Sequence, residues 1–397
     1  MSEQLPQDLQ TDILVRLPVK SLLRFQCVPK SWKSLIRSTD FVSMHTNHNE
    51  SPNNYAHLVK GCLNRIHNEK ETDIGGILHR FDDSFREFQK IKFPSQTGYK
   101  FFEEVLDCGR ELILLTNTYT CKRGSFELFF LWNPAARMTM TLPTPCIDVP
   151  NITEYCAHGF GFDHTSNDYK VLRIVHGDMV VYGVELFKLR TGAWESVTLN
   201  LIDNIRIPER SSQAFVNGAT HWVGVGGHSR RDGYLVVLLF DMSDEEFRVM
   251  KLPDVITIRE FYSISLGVSG GLLSVMHYNG EHGNGNHNGC CIWLMKEYGV
   301  TESWTKQYTV DLRDRGGLWE AVSFRNKRVL LLIVSQRKQL VLYDPMVNRF
   351  INLGITSMGC MGIVINTYKE SLLLLNQVNA MPDQSQTSSR EMMQLAK

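Results

Sequence analysis

The chain reads as mainly β, with a small N-terminal three-helix unit followed by a β-propeller of about six four-stranded blades (alternative seven). Three observations predict this. Apolar residues recur at helical spacing only within residues 5–37. Beyond them the pattern changes to strand-like alternation, as in Val184-Glu185-Leu186-Phe187-Lys188-Leu189. Within that region an apolar strand, a polar turn and a large anchor residue recur. The anchors are Phe88, Met138, Trp194, Phe247, Trp304 and Phe350, at intervals of 50, 56, 53, 57 and 46 residues. A period near fifty residues is that of a propeller blade.

Composition narrows the function classes. The 397 residues are 43% hydrophobic and 21% charged, enough for a full-sized core. Lys+Arg and Asp+Glu both total 42, so the net charge is zero, which argues against broad binding to nucleic acid or an anionic membrane. The longest apolar runs, Leu235–Phe240 and Val329–Val334, are strand-length, far below the roughly 18–20 residues of a membrane helix. The first residues show no secretory signal. Nine cysteines without regular spacing suit a reducing compartment, so the expected location is cytoplasmic or nuclear.

The head comes first. Leu5, Leu9, Ile13 and Leu17 recur every four residues, with Leu14 widening the stripe. Pro6 can open that helix and Pro18 must end it, since proline lacks the amide and clashes with the preceding turn. A second helix is expected from Val19 to about Val28, presenting Leu22, Leu23 and Phe25; Pro29 follows, and Trp32, Leu35 and Ile36 mark a third. Three helices in about 40 residues carry more apolar side chains than so small a unit hides alone. The leftover face is either packed on the next domain or offered to another protein.

The run Leu5-Pro6-x-Asp8-Leu9-x-x-Asp12-Ile13-Leu14-x-Arg16-Leu17-Pro18-x-Lys20-Ser21-Leu22-x-Arg24-Phe25-x-Cys27-Val28-x-Lys30-Ser31-Trp32-x-Ser34-Leu35-Ile36 resembles the F-box in its plant form. Pro29 departs from it, standing where the family commonly has Cys. The resemblance implies docking to a Skp-type adaptor, and through it to the cullin and RING subunits of a ubiquitin ligase. It implies that Leu5, Pro6, Leu9, Ile13, Leu14, Leu17, Pro18, Leu22, Phe25, Val28, Trp32 and Leu35 form the adaptor-binding set.

The β body follows. Hairpins are expected at Ile77–Phe93, Phe129–Leu142, Val184–Leu199, Leu238–Leu252, Ile292–Val310 and Leu340–Leu353, with the intervals between them supplying two further strands per blade. Met361–Ile365 and Ser371–Leu375 are expected to complete the first blade and close the ring, which removes exposed sheet edges. The body resembles the F-box-associated, kelch-like region of plant F-box proteins, with the pollen S-locus group as an alternative within that family. The segments that carry this are Leu131-Trp132-Asn133-Pro134, Phe160-Gly161-Phe162-Asp163, Phe240-Asp241-Met242 and Leu342-Tyr343-Asp344-Pro345.

In an up-and-down blade, the links between strands one and two and between three and four share one face. Those links are mostly short here. The other links are the long ones: Pro143–Ala157, Asn200–Ser212, Gly224–Gly233 and Tyr278–Gly289. Long loops on a rigid scaffold are where binding resides, so that face is expected to receive a client protein, with Arg206, Arg210, Arg230 and Arg231 as candidate contacts.

Other motifs are set aside. Gly267-Val268-Ser269-Gly270-Gly271 matches a G-x-S-x-G nucleophile pattern, but a strand follows it where that motif needs a helix. Gly224-x-Gly226-Gly227 lacks the helix of a phosphate loop. His277, His282, His287, Cys290 and Cys291 have zinc-ligand chemistry without zinc-site spacing, and the Asn279–Gly289 stretch reads more simply as a loop. No catalytic residue, cofactor or metal site is expected. The expected organisation is an adaptor-docking head over 1–45, a linker over 46–54, the propeller over 55–380 and a disordered tail over 381–397. The function expected is that of a non-catalytic substrate receptor of a Skp–cullin–F-box ligase. The alternatives are a propeller enzyme or carbohydrate-binding protein with a helical cap and, within the family, an S-locus-like receptor of secreted ribonucleases.

Overall fold

The computed structural model describes residues 6–25, 30–48, 55–60, 63–65, 77–81, 88–94, 104–121, 124–147, 155–177, 181–198, 205–208, 211, 213–227, 233–258, 263–279, 288–311, 313, 318–325, 329–334, 339–344, 346–357 and 364–374. Four helices open the chain: α1 Gln7–Val15, α2 Val19–Phe25, α3 Lys30–Ile36 and α4 Thr39–His48. Pro6 sits at the start of α1, and the Pro18 carbonyl receives the first amides of α2. The expected end of the second helix near Val28, like Leu5, lies outside the described residues.

The fourth helix corrects the expectation of three. Its start is locally encoded: the Ser38 hydroxyl accepts the Phe41 amide at 3.2 Å, and Asp40 lies in the first turn, where the helix dipole favours an acid. Its buried face is Phe41, Val42 and His45, and it continues through His48, past the boundary expected at residue 45. The polar run His45–His48 conceals it in sequence. His45 is apolar in effect: buried, with Nε2 held at 3.0 Å from the Leu17 carbonyl and its pKa lowered by that burial.

The strands build six antiparallel sheets among the described residues. Blade 1 holds β1 Tyr55–Lys60, β3 Ile77–Phe81 and β4 Phe88–Lys92, with β26 Val364–Lys369 added beside β1. Blade 2 is β5 Glu104–Asp107, β6 Ile113–Cys121, β7 Gly124–Asn133 and β8 Met138–Thr141. Blade 3 is β9 Tyr155–Asp163, β10 Asp168–His176, β11 Val181–Lys188 and β12 Ala193–Ser196. Blade 4 has β13 Ile205–Arg206 and β14 Ala214–Val216, both against β15 Ala219–Gly226, then β16 Tyr234–Asp241 and β17 Glu246–Lys251. Blade 5 is β18 Ile264–Ser269, β19 Leu272–Asn279, β20 Gly289–Met295 and β21 Trp304–Asp311. Blade 6 is β22 Leu318–Arg325, β23 Val329–Val334, β24 Gln339–Asp344 and β25 Arg349–Ser357.

The ring closes with material from both ends of the chain. β26 is the innermost strand of blade 1 and lies between β5 and β22 at the hub. The short β2, Leu63–Arg65, crosses to the outer edge of blade 6 and pairs with β25. Among the described residues only one C-terminal strand joins blade 1, so the expectation of two is corrected. Ser371–Leu374 makes no ladder because a side chain takes its carbonyls, as described below.

Packing follows the repeat. Each apolar cluster of the ring fills the gap between one blade and the next, as in Leu114, Phe129, Phe160 and Phe187 between blades 2 and 3. A middle strand is therefore covered on both sides: every residue of β10 is buried, whereas the outer β12 is largely exposed. The anchors open the outer strands and tie neighbouring blades. Trp194 donates from Nε1 to the Pro143 carbonyl at 2.7 Å, and Trp304 does the same to the Lys251 carbonyl at 2.9 Å. The turns between third and fourth strands share one geometry. Four residues beyond the last strand residue stands a left-handed position, filled by Arg137, Gly192, Glu245, Gly299 or Asn348. In blades 2, 3, 4 and 6 this is a four-residue hairpin link, whereas in blade 5 Gly299 lies in a longer link that adds a 3-10 turn, Thr301–Ser303. Gly270 and Gly271, also at positive φ, likewise form the turn between β18 and β19, so the G-x-S-x-G match is a hairpin.

Candidate docking surfaces

The head presents two unlike faces. Leu14, Val15, Val19, Leu22, Ile36, Phe41 and Val42 form one buried cluster, and Ala136 and Leu372 of the β body belong to it. The head therefore rests on the short-turn face, over the blade 2 turn and the residues that follow β26. The opposite face of α1 points to solvent: Leu9 is 50% exposed and Ile13 53%, one turn apart on the same side. Pro6 and Pro18 are exposed beside them. Leu17, Phe25, Trp32 and Leu35 are half-buried at the rim, with Phe25 and Trp32 edge to face at 5.6 Å and Trp32 Nε1 donating to Gln10 Oε1 at 2.9 Å.

This divides the predicted adaptor-binding set. Leu14 and Leu22 are buried within the chain's own core, where no partner reaches them, and they serve the joint instead. Pro6, Leu9, Ile13 and Pro18, with the rim residues, remain available. Leu5 and Val28 lie outside the described residues. The stripe read from spacing was wider than a docking face because residues at i, i+4 and i+1 together wrap round both sides of a helix.

On the opposite, long-loop face, Arg206 is half-buried on β13, beside His176 at the end of β10. Burial lowers the His176 pKa; a contact with the Gly177 carbonyl opposes this, and the Arg206 charge adds to the lowering. Arg210, Arg230 and Arg231 lie outside the described residues. So do His282 and His287; of that cluster, His277 stands opposite Cys291 in register, and Cys290 is fully buried.

Between blades 2 and 3 runs a chain of charges, buried except at its Glu104 end, that spacing does not reveal. His158 contacts Glu104 Oε2 from Nδ1 at 2.6 Å and Glu127 Oε1 from Nε2 at 2.8 Å. Arg173 then donates to Glu127 at 2.5 Å and to Glu185 at 2.7 Å. Burial opposes the His158 charge, yet Glu104 and Glu127 push its pKa up to about 10. Burial likewise opposes ionisation of Glu127, and His158 and Arg173 hold it at about 2. The end of this chain shapes the long-loop face. Glu185 accepts the Cys146 and Ile147 amides at 2.6 and 3.0 Å, and Arg173 holds the Ile147 carbonyl at 2.8 Å.

Among the described residues, then, a helical head with an outward apolar stripe sits on the short-turn face of a six-bladed ring. No helix among the described residues is long and apolar enough to cross a membrane. The family model described as F-box associated beta propeller domain matches residues 102–370, and the one described as F-box domain matches residues 2–43. The chain belongs to the plant F-box proteins that carry an F-box-associated propeller domain. It is 26% identical over 372 residues to F-box protein CPR1 of Arabidopsis thaliana, covering 86% of this chain and 82% of that one. To F-box protein At3g07870 of the same plant it is 27% identical over 391 residues, covering 88% and 87%. Among solved structures it is similar to the β-propeller domain of the Trilobed protease from Pyrococcus furiosus, with 14% identity and a TM-score of 0.35 over 63% of this chain and 70% of that one. That likeness is too remote to bear on function.

Proposed function

We propose that this protein is a non-catalytic substrate receptor of a Skp–cullin–F-box ubiquitin ligase, acting in the cytoplasm or nucleus. The head docks a Skp-type adaptor, which connects it to the cullin and RING subunits, and the long-loop face of the propeller holds a client protein. Catalysis belongs to the other subunits; the contribution here is the effective concentration of client beside the conjugating machinery. The observation that carries this reading is the pair Leu9 and Ile13, large apolar side chains more than half exposed on the outer side of α1, within a segment that matches the F-box domain. Exposed apolar side chains set close together on an otherwise packed surface mark an interface. Among the described residues Cys108, Cys146, Cys156, Cys290 and Cys291 are free thiols, which suits a reducing compartment.

The test is direct because both residues are outside the core. Leu9→Asp with Ile13→Asp is expected to weaken binding of a purified Skp-type adaptor by roughly 100-fold or more, with the melting temperature unchanged. Adaptor affinity within a few-fold of wild type in this folded variant would refute the docking assignment.

A further inference from the structure

The joint between head and propeller is built around one side-chain amide. Asn133 ends β7 and is fully buried. Its Oδ1 accepts the Ala136 amide at 3.1 Å and the Tyr368 hydroxyl at 2.7 Å. Its Nδ2 faces the Ser371 and Leu373 carbonyls, each at 3.0 Å, and the Ser371 hydroxyl at 3.2 Å. The Tyr368 hydroxyl in turn accepts the Ala135 amide at 2.9 Å. One amide thus ties the blade 2 turn, the ring-closing strand and the residues after it.

Those residues, 370–374, form a strap between the two parts of the molecule. Leu372 enters the head cluster with Leu14, Leu22, Ile36 and Phe41. Leu374 enters the ring cluster with Leu114, Phe129 and Phe160. Just before the strap, Lys369 reaches the Thr46 carbonyl at the end of α4 at 3.2 Å and Glu111 of blade 2 at 3.4 Å.

We propose that Asn133 and the strap lock the head in one orientation over the propeller, with Asn133 as the positioning residue. The chemistry separates this role from turn formation. At the matching position of blades 4 and 6 stand Asp241 and Asp344, whose carboxylates accept turn amides at 2.9–3.0 Å. An acceptor is therefore sufficient for the turn. The Nδ2 donors of Asn133 are additional, and their partners all lie in the strap. The head precedes the ring in the chain and the strap follows its closing strand, so the lock forms only once the ring is closed.

Its bearing on ubiquitin transfer rests on the receptor reading, but the experiment reads geometry alone, so either can fail without the other. In the full-length chain, spectroscopic labels on unnatural amino acids at Ser43 of the head and Asp254 of the propeller, both exposed, report the distance between the two parts. Three variants are compared: Asn133→Asp, which keeps the acceptor and removes the donors; Leu372→Ser; and a chain ending after Glu370, which retains β26. The wild-type chain is expected to give one narrow distance distribution, and each variant one at least roughly twofold broader, while the propeller keeps its near-ultraviolet circular dichroism. A wild-type width in both Leu372→Ser and the shortened chain would overturn the lock. Broadening in Asn133→Asp only with loss of the propeller signal would overturn the role of Asn133, leaving it a ring residue.

Discussion

The third-to-fourth-strand turns of blades 2 and 6 are built alike and end differently. One runs Asn133-Pro134-Ala135-Ala136-Arg137 and the other Asp344-Pro345-Met346-Val347-Asn348. Both put an Asx side chain on a turn amide and a left-handed residue four positions on. In blade 2 the alanine tip lies beneath the helical head, with Ala136 buried. In blade 6 the tip is larger, yet Met346 is 67% and Val347 61% exposed. Small side chains and one amide in place of a carboxylate turn a repeat element into a joint. A repeat fixes backbone geometry, and single substitutions within it then decide what each copy touches.

Exchanging the two Asx residues gives the sharpest contrast. Asn133→Asp is expected to cost about 3–5 kcal/mol in denaturant unfolding, because it buries a charge against the strap carbonyls it formerly bonded. Asp344→Asn keeps its acceptor and should stay within about 0.5 kcal/mol of wild type. Equal effects would dissolve the comparison.

Next comes the inner wall of each blade. Blade 2 is joined to blade 3 by charge as well as by an apolar cluster, whereas blade 5 meets blade 6 through Met276, Tyr278, Ile292, Val341 and Tyr343. Glu127→Gln leaves His158 and Arg173 without their shared carboxylate and is expected to cost about 3 kcal/mol or more by the same measurement. The pair also sets a pH window. The His158 pKa is raised from 6.5 to about 10, so its contribution is full below pH 6.5 and drains away as pH rises towards 10. The Glu127 pKa is lowered from 4.5 to about 2, so its contribution is full above pH 4.5 and is lost as pH falls towards 2. Stability measured across pH should fall on both sides of that window. Glu127→Gln should remove its own part of the acid limb and shrink the alkaline one; unchanged limbs would show that the network is not linked to folding.

A milder pair swaps the tips. Ala136→Val introduces two methyl groups beneath the head and is expected to cost about 1–3 kcal/mol, read as a lower melting temperature. Val347→Ala, at an exposed tip, should shift stability by less than about 0.5 kcal/mol. If both changes are silent, the head does not press on blade 2.

Much of this architecture is legible in residue order. The anchor interval near fifty marks the blades because every blade needs a large side chain at the start of its outer strand, and Trp194 and Trp304 show why: each spans the gap to the preceding blade. The four-residue spacing of Leu5, Leu9, Ile13 and Leu17 marks a helix with an apolar side. Other features are not legible. The α4 helix hides behind His45, Asn47 and His48, because burial of His45 depends on a carbonyl 28 residues away. The Ser38 cap was the available signal for it.

Periodicity and turn chemistry act between near neighbours, so the residue order alone determined that this chain makes a helical head, a repeated antiparallel blade and a closing strand from its far end. It also contained the F-box pattern. Which side of α1 faces water, and which copy of a repeated Asx turn holds a strap, are settled by contacts across hundreds of residues, such as Asn133 with Ser371. Those contacts exist only after the ring has closed, because closure brings distant polar groups out of water at one place, where each must find a partner.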